Sequence, residues 1–164
     1  MRFTFTSIAT LAFFLWAGHC VVLDISFDRN CGGYFARAAT ANTIELAIPA
    51  LERGVTYLEQ NDLTSGYTSV LYRTPDEDLG FFYSNMKESL AELKSIKPDA
   101  SPLERSNVLM KLRETLVHTS DTGDSLTLPE GISRYPSNLL MALWGIGSLI
   151  ALICGWFVVS VFGP

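Results

Sequence analysis

The sequence predicts an all-α membrane protein in which two transmembrane helices flank an extramembrane antiparallel helical bundle. Three observations lead there. Residues 139–162, LLMALWGIGSLIALICGWFVVSVF, carry no charge, and about 20 apolar residues in a helix span the hydrocarbon core of a bilayer. Residues 3–23 form a second run without Asp, Glu, Lys or Arg. Between the runs, apolar residues recur three and four apart, the period of an amphipathic helix. The expected segments are an N-terminal transmembrane anchor at 1–27, an acidic α-helical domain at 28–138 and a C-terminal transmembrane helix at 139–164.

Charge is distributed accordingly. Of the 12 Lys and Arg and 17 Asp and Glu, only Arg2 and Asp24 lie outside 28–138, so the middle segment carries the whole net charge of −5. Nucleic-acid binding needs a basic surface to neutralise phosphates, and an acidic domain argues against that class of partner.

The first run resembles a secretory signal, with Arg2 as the charged start and residues 8–17 as the apolar centre. Small residues do not fall where a cleavage site needs them, because Trp16 and His19 intrude, so the run reads as an uncleaved anchor. Asp24, Asp28 and Arg29 mark its exit from the bilayer. Gly32 and Gly33 predict a hinge or break, with Tyr34 and Phe35 at the headgroup level. Residues 35–60 read as a helix with Ala41, Ile44, Ile48, Leu51, Val55 and Leu58 on one stripe. Pro49 predicts a kink near residues 45–49 or a split into two helices there. Residues 61–73 read as an ordered connection.

A helix is expected to start at Thr74, with Pro75 in the first position and Asp76, Glu77 and Asp78 complementing the dipole, and to run to about Ile96. Leu79, Phe82, Met86, Leu90 and Leu93 form its apolar stripe. Ser101 and Glu104 form a capping box for a further helix reaching about Thr119, lined by Val108, Leu109, Leu112 and Leu116. Residues 119–136 read as an extended linker. Each amphipathic helix needs its apolar face covered, and a bundle does this most simply.

Candidates for chemistry are few. His19 is an ionisable group inside a membrane run, a speculative intramembrane polar site that could ligate haem or relay a proton, yet one His supplies one ligand. Cys20, Cys31 and Cys154 have neither disulfide-framework nor zinc-site spacing. Cys31 beside two glycines could be an exposed thiol, although no partner nearby in sequence activates it. No G-x-S-x-G, P-loop or H-E-x-x-H motif occurs. The sequence therefore predicts no enzyme activity, no catalytic or metal residue and no cofactor. Gly147, Ala151 and Gly155 stand four apart, a small-residue helix-packing interface that lets two membrane helices approach closely. Its partner is expected to be the first anchor or another chain.

The plan of anchor, helical domain and anchor is similar to the sensory modules of bacterial chemoreceptors in architecture alone, with no shared motif. Those receptors continue into a signalling domain, whereas this sequence ends at Pro164, which argues against a self-contained receptor. The expected function is a membrane-anchored interaction or accessory subunit whose partners are the lipid bilayer and a membrane protein or a second copy of the chain. One alternative is a ligand-binding sensory module reporting to a separate membrane protein. Another is a redox or proton-handling accessory built on His19. The long middle segment, acidic and preceded by a signal-like run, is expected outside the cytoplasm.

Overall fold

The computed structural model describes residues 2–120 and 123–162, without the side chains of residues 2–5, 119, 120, 124 and 162. The Arg2 side chain, residues 121 and 122 of the expected linker, and Gly163 and Pro164 lie outside that description. The chain is mostly helical, 75%, and two helices are long and apolar enough to cross a membrane, Thr6–Ala39 and Asn138–Val161. It divides into two compact units. One runs up to Ile25 and resumes at Ser133; the other is Ser26–Ile132.

The first unit holds helix α1 (Arg2–Phe27), except its last two residues, and helix α6 (Asn138–Phe162). Their contact is specific. The Trp16 indole N–H donates to the Met141 carbonyl at 2.8 Å, and the ring lies where a Cβ on Gly145 would stand, 2.5 Å from Trp16 Cζ2. Ala9, Cys20, Met141 and Ser148 are also buried in this unit. At one end the Asp24 carboxylate accepts from Ser133 Oγ at 2.5 Å and from Arg134 Nη2 at 3.0 Å.

The second unit begins with a departure from the expected break at Gly32-Gly33. The chain stays helical through a π turn, Asp28–Gly32, into α2 (Gly33–Ala39). The glycines supply space rather than a hinge. A Cβ on Gly33 would sit 2.9 Å from the Asp28 carbonyl oxygen, and one on Gly32 would sit 2.9 Å from Asp28 Oδ1. Phe35 is fully buried within the unit, edge-on to Phe82 at 5.7 Å.

The break falls at residues 40–43, ahead of the expected kink. Thr40 Oγ1 donates back to the Ala36 carbonyl at 2.9 Å, and Thr43 is extended. Helix α3 (Ile44–Gln60) then carries Pro49 inside it. Pro49 is exposed, so its ring meets no core neighbour, and the bond it removes lies in the first turns. Ile44, Leu51, Val55 and Leu58 are buried as the stripe predicts.

Helix α4 (Leu79–Ser95) starts later than the sequence predicts. Pro75–Glu77 form a 3-10 turn instead. The cap is Asp78, whose carboxylate accepts from the Phe81 amide at 3.1 Å, while Thr74 spends its hydroxyl on Glu77 at 2.6 Å. Helix α5 (Pro102–Leu116) starts where expected, with Ser101 Oγ accepting from the Glu104 amide at 3.2 Å. It ends short of Thr119. Val117–Ser120 (β1) pairs antiparallel with Gly123–Leu126 (β2), so part of the expected linker is a hairpin. A 3-10 turn, Ile132–Arg134, follows.

Helix α3 lies at the centre of this unit and touches α2, α4 and α5. Ion pairs fix its register. Glu52 pairs with Lys94 at 2.5 Å and Glu59 with Lys87 at 3.4 Å, so α3 and α4 run in opposite directions. Glu45 pairs with Arg105 of α5, and Glu92 of α4 with Lys111 at 2.7 Å. The core is Phe35, Leu51, Leu58, Leu79, Met86, Leu93 and Leu116, each almost fully enclosed.

Candidate functional site

Within the membrane-length helices, close approach occurs at Gly145, two residues before the first position of the small-residue stripe. Gly147 is exposed, with nothing within 4 Å of a Cβ placed there. Ala151 is half-buried and Gly155 buried. The sequence offered no sign of Gly145 because its partner is a tryptophan, which lies outside a small-against-small pattern. His19 is exposed in its unit, with its ring 6.3 Å from that of Trp144.

In the second unit Cys31 is 0% exposed, its thiol 3.8 Å from the Gly54 carbonyl. The expected exposed thiol is therefore absent: the glycines beside Cys31 seat it inside the core instead of baring it. A buried thiol in apolar surroundings is held in its neutral, unreactive form. Among the described residues no group of three or more His, Cys, Asp or Glu could hold a metal ion.

Two features of this unit rise above packing. The first is a cavity of about 550 Å³ between the start of α4 and the hairpin. Phe81, Phe82, Met86 and Leu128 give it apolar walls, and Asp76, Asn85 and His118 line it with polar groups. It exists because α5 hands over directly to β1. Had the helix continued to Thr119, His118 would not be presented from a strand.

The second is the connection between α3 and α4. It exposes Tyr67, Val70, Leu71 and Tyr72, the last two at 84% and 78%, and Phe81 of α4 adds a further 65% exposed ring. An apolar loop in water normally folds under, yet this one is pinned at its base. Tyr67 bridges Asp78, the Thr68 amide donates to the Glu77 carbonyl at 3.1 Å, and the Leu79 amide donates to Gly66 at 3.0 Å. Gly66 has φ 101° and Asp62 φ 56°, so the chain turns through left-handed geometry at both, which glycine adopts without cost and Asp tolerates. Thr68 and Leu63 are buried beneath, and the Arg73 guanidinium lies 5.2 Å from the Tyr67 ring centre. The hydrophobic tip is thus held outward by backbone hydrogen bonds. The sequence predicts an ordered connection here but not its exposure, because residue period alone does not show which face is covered.

Charged groups elsewhere in the unit are arranged for cohesion. The Glu59 carboxylate accepts from the Tyr83 hydroxyl at 2.6 Å, and Lys87 Nζ donates to the same hydroxyl at 2.8 Å. The Tyr83 hydrogen bond, then Lys87, pull the Glu59 carboxyl below its ordinary value, and Tyr83 and Glu59 push the Lys87 ammonium up. For Glu45, its own backbone amide and then Arg105 lower the carboxyl. Compared with known proteins, the chain matches no family model, no curated protein and no solved structure.

Proposed function

We propose that the chain is a two-pass, membrane-anchored interaction subunit that binds a partner protein through the exposed tip of the α3–α4 connection. The observation that carries this reading is the pinned loop with Leu71, Tyr72 and Phe81 turned to solvent. Contiguous exposed apolar side chains on a soluble surface mark interaction sites, and aromatic residues are enriched at the centres of interfaces. In sequence, Asp76, Glu77 and Asp78 outnumber Arg73 beside the tip, and the whole chain carries a net charge of −5, so the fitting partner segment is apolar at its centre and basic at its edges. In this reading α1 and α6 anchor the subunit in the bilayer, the helical domain lies on the non-cytoplasmic side, and the open face at Gly147 is available to the partner or a second copy.

The test is site-specific photocrosslinking in intact membranes. A crosslinker at position 72 is expected to capture one protein reproducibly, and Leu71→Asp to abolish capture. A crosslinker at Glu88, an exposed position on α4, is expected to capture none. Identical capture from both positions would overturn the reading.

A second reading, a ligand-binding module, rests on the cavity beside His118. A small molecule held there raises the melting temperature of the native state, and His118→Ala removes that shift while leaving crosslinking at position 72 intact.

A further inference from the structure

Away from the loop and the His118 cavity, a smaller cavity of about 350 Å³ opens between α2 and α3. Two arginines line it, Arg37 from α2 and Arg53 from α3, and both lie against one ring. Their guanidinium carbons are 5.9 Å and 5.3 Å from the centre of Tyr34. Arg53 Nη1 also donates to the Tyr34 hydroxyl at 3.1 Å, which leaves the phenol proton to be donated elsewhere.

Both arginines are exposed. Helix α3 contributes three carboxylates, Glu45, Glu52 and Glu59, and all three pair with cations on α4 or α5. Arg37 and Arg53 have no carboxylate within ion-pair reach among the described residues. Two cations line one cavity, and an anion bound there would be attracted by both.

We infer that Arg37, Arg53 and Tyr34 form a binding site for a phosphomonoester. A carboxylate presents two coplanar oxygens and is satisfied by one arginine fork. A phosphomonoester presents three terminal oxygens in different directions and carries about −1.5 to −2 charge at pH 7, which matches two guanidiniums arriving from separate helices and a phenol donor. The rest of the lining is apolar, Ala41, Leu46 and Pro49, so the ester group is hydrophobic. A soluble phosphomonoester and a phosphatidic-acid headgroup share this chemistry.

The experiment uses the full chain. In neutral detergent, phenyl phosphate is expected to raise the melting temperature, and benzoate at matched ionic strength is not. Arg37→Gln and Arg53→Gln should each weaken the phenyl phosphate response about tenfold, Arg53→Lys should weaken it less, and Arg73→Gln, which alters another arginine stacked on a tyrosine, should leave it unchanged. Circular dichroism checks that each variant stays folded. In nanodiscs, added phosphatidic acid should stabilise the wild type and not the Arg37→Gln/Arg53→Gln double variant if the source is lipid; a response to phenyl phosphate alone assigns a soluble ligand. No response in either arm, an equal response to benzoate, or an unchanged response in both Gln variants would overturn the site.

Discussion

Gly54 shows how much a single atom decides in this core. It lies in the middle of α3, where glycine ordinarily costs about 1 kcal/mol relative to alanine. A Cβ there would meet Phe35 Cε1 at 2.6 Å. The Phe35 ring cannot yield, because it is fully enclosed and edge-on to Phe82. Overpacking costs about 1–3 kcal/mol, enough to exceed the helix-propensity gain. Gly54→Ala is therefore expected to lower the thermal midpoint, against the helix-propensity expectation, and Phe35→Leu in the same chain to restore part of it. A midpoint that rises in the single variant would show that the ring moves aside. In the sequence Gly54 is only a weak spot in a helical pattern, since its partner lies across the break at residues 40–43.

At the scale of elements, the helices were legible where local signals suffice. Ser101 was readable as a cap because the serine, the proline and the glutamate all lie within one turn. The start of α4 was harder: Thr74 and Asp78 are both competent caps, and Asp78 prevails because its backbone is tied to Tyr67 across the loop. The hairpin after α5 escaped because pairing Val117 with Leu126 is not encoded in either segment alone. The packing of α6 gives a direct test. Gly145→Leu should separate α1 from α6 and lower the melting temperature in detergent, because its side chain would collide with Trp16. Gly147→Leu should leave the isolated chain unaffected and act only on assembly with another chain. Size-exclusion profiles and melting curves of the two variants distinguish these outcomes. Equal destabilisation of the isolated chain would show that Gly147 also meets a neighbour.

For the molecule as a whole, the two apolar helices and the acidic middle were legible from composition, whereas the placement of charges against one another was not. Those placements set the response to pH. The Glu45 and Glu59 carboxyls lie below their ordinary value of 4.5 in the folded state. Their contribution is fully present above that value and is lost as pH falls through the lower folded one. Lys87 is raised above 10.5, so its contribution is complete below that value and is lost as pH rises through the folded one. A stability plateau is expected between these limits, with the melting temperature falling on the acid side. Glu59→Gln should flatten part of the acid limb, and high salt should shrink it, because the pairs are exposed. An acid limb of the same slope in wild type and Glu59→Gln would refute the assignment. The convergence of Arg37 and Arg53 on Tyr34 belongs to this scale too: the cluster appears only once α2 and α3 have packed.

The π turn at Asp28–Gly32 has a consequence for how this segment can vary. Phe27, Cys31 and Phe35 are all buried, spaced four apart. At 3.6 residues per turn such a row drifts around the helix by about 40° per step; a wider turn underwinds the chain and cancels much of that drift. The extra residue thus acts as a phase correction, keeping three side chains pointed at one core. Substitutions at exposed Arg29 or Asn30 leave that phase intact. Removing either residue would rotate Phe35 and the Arg37 cavity away from α3, so this stretch is tolerant of spelling and intolerant of counting.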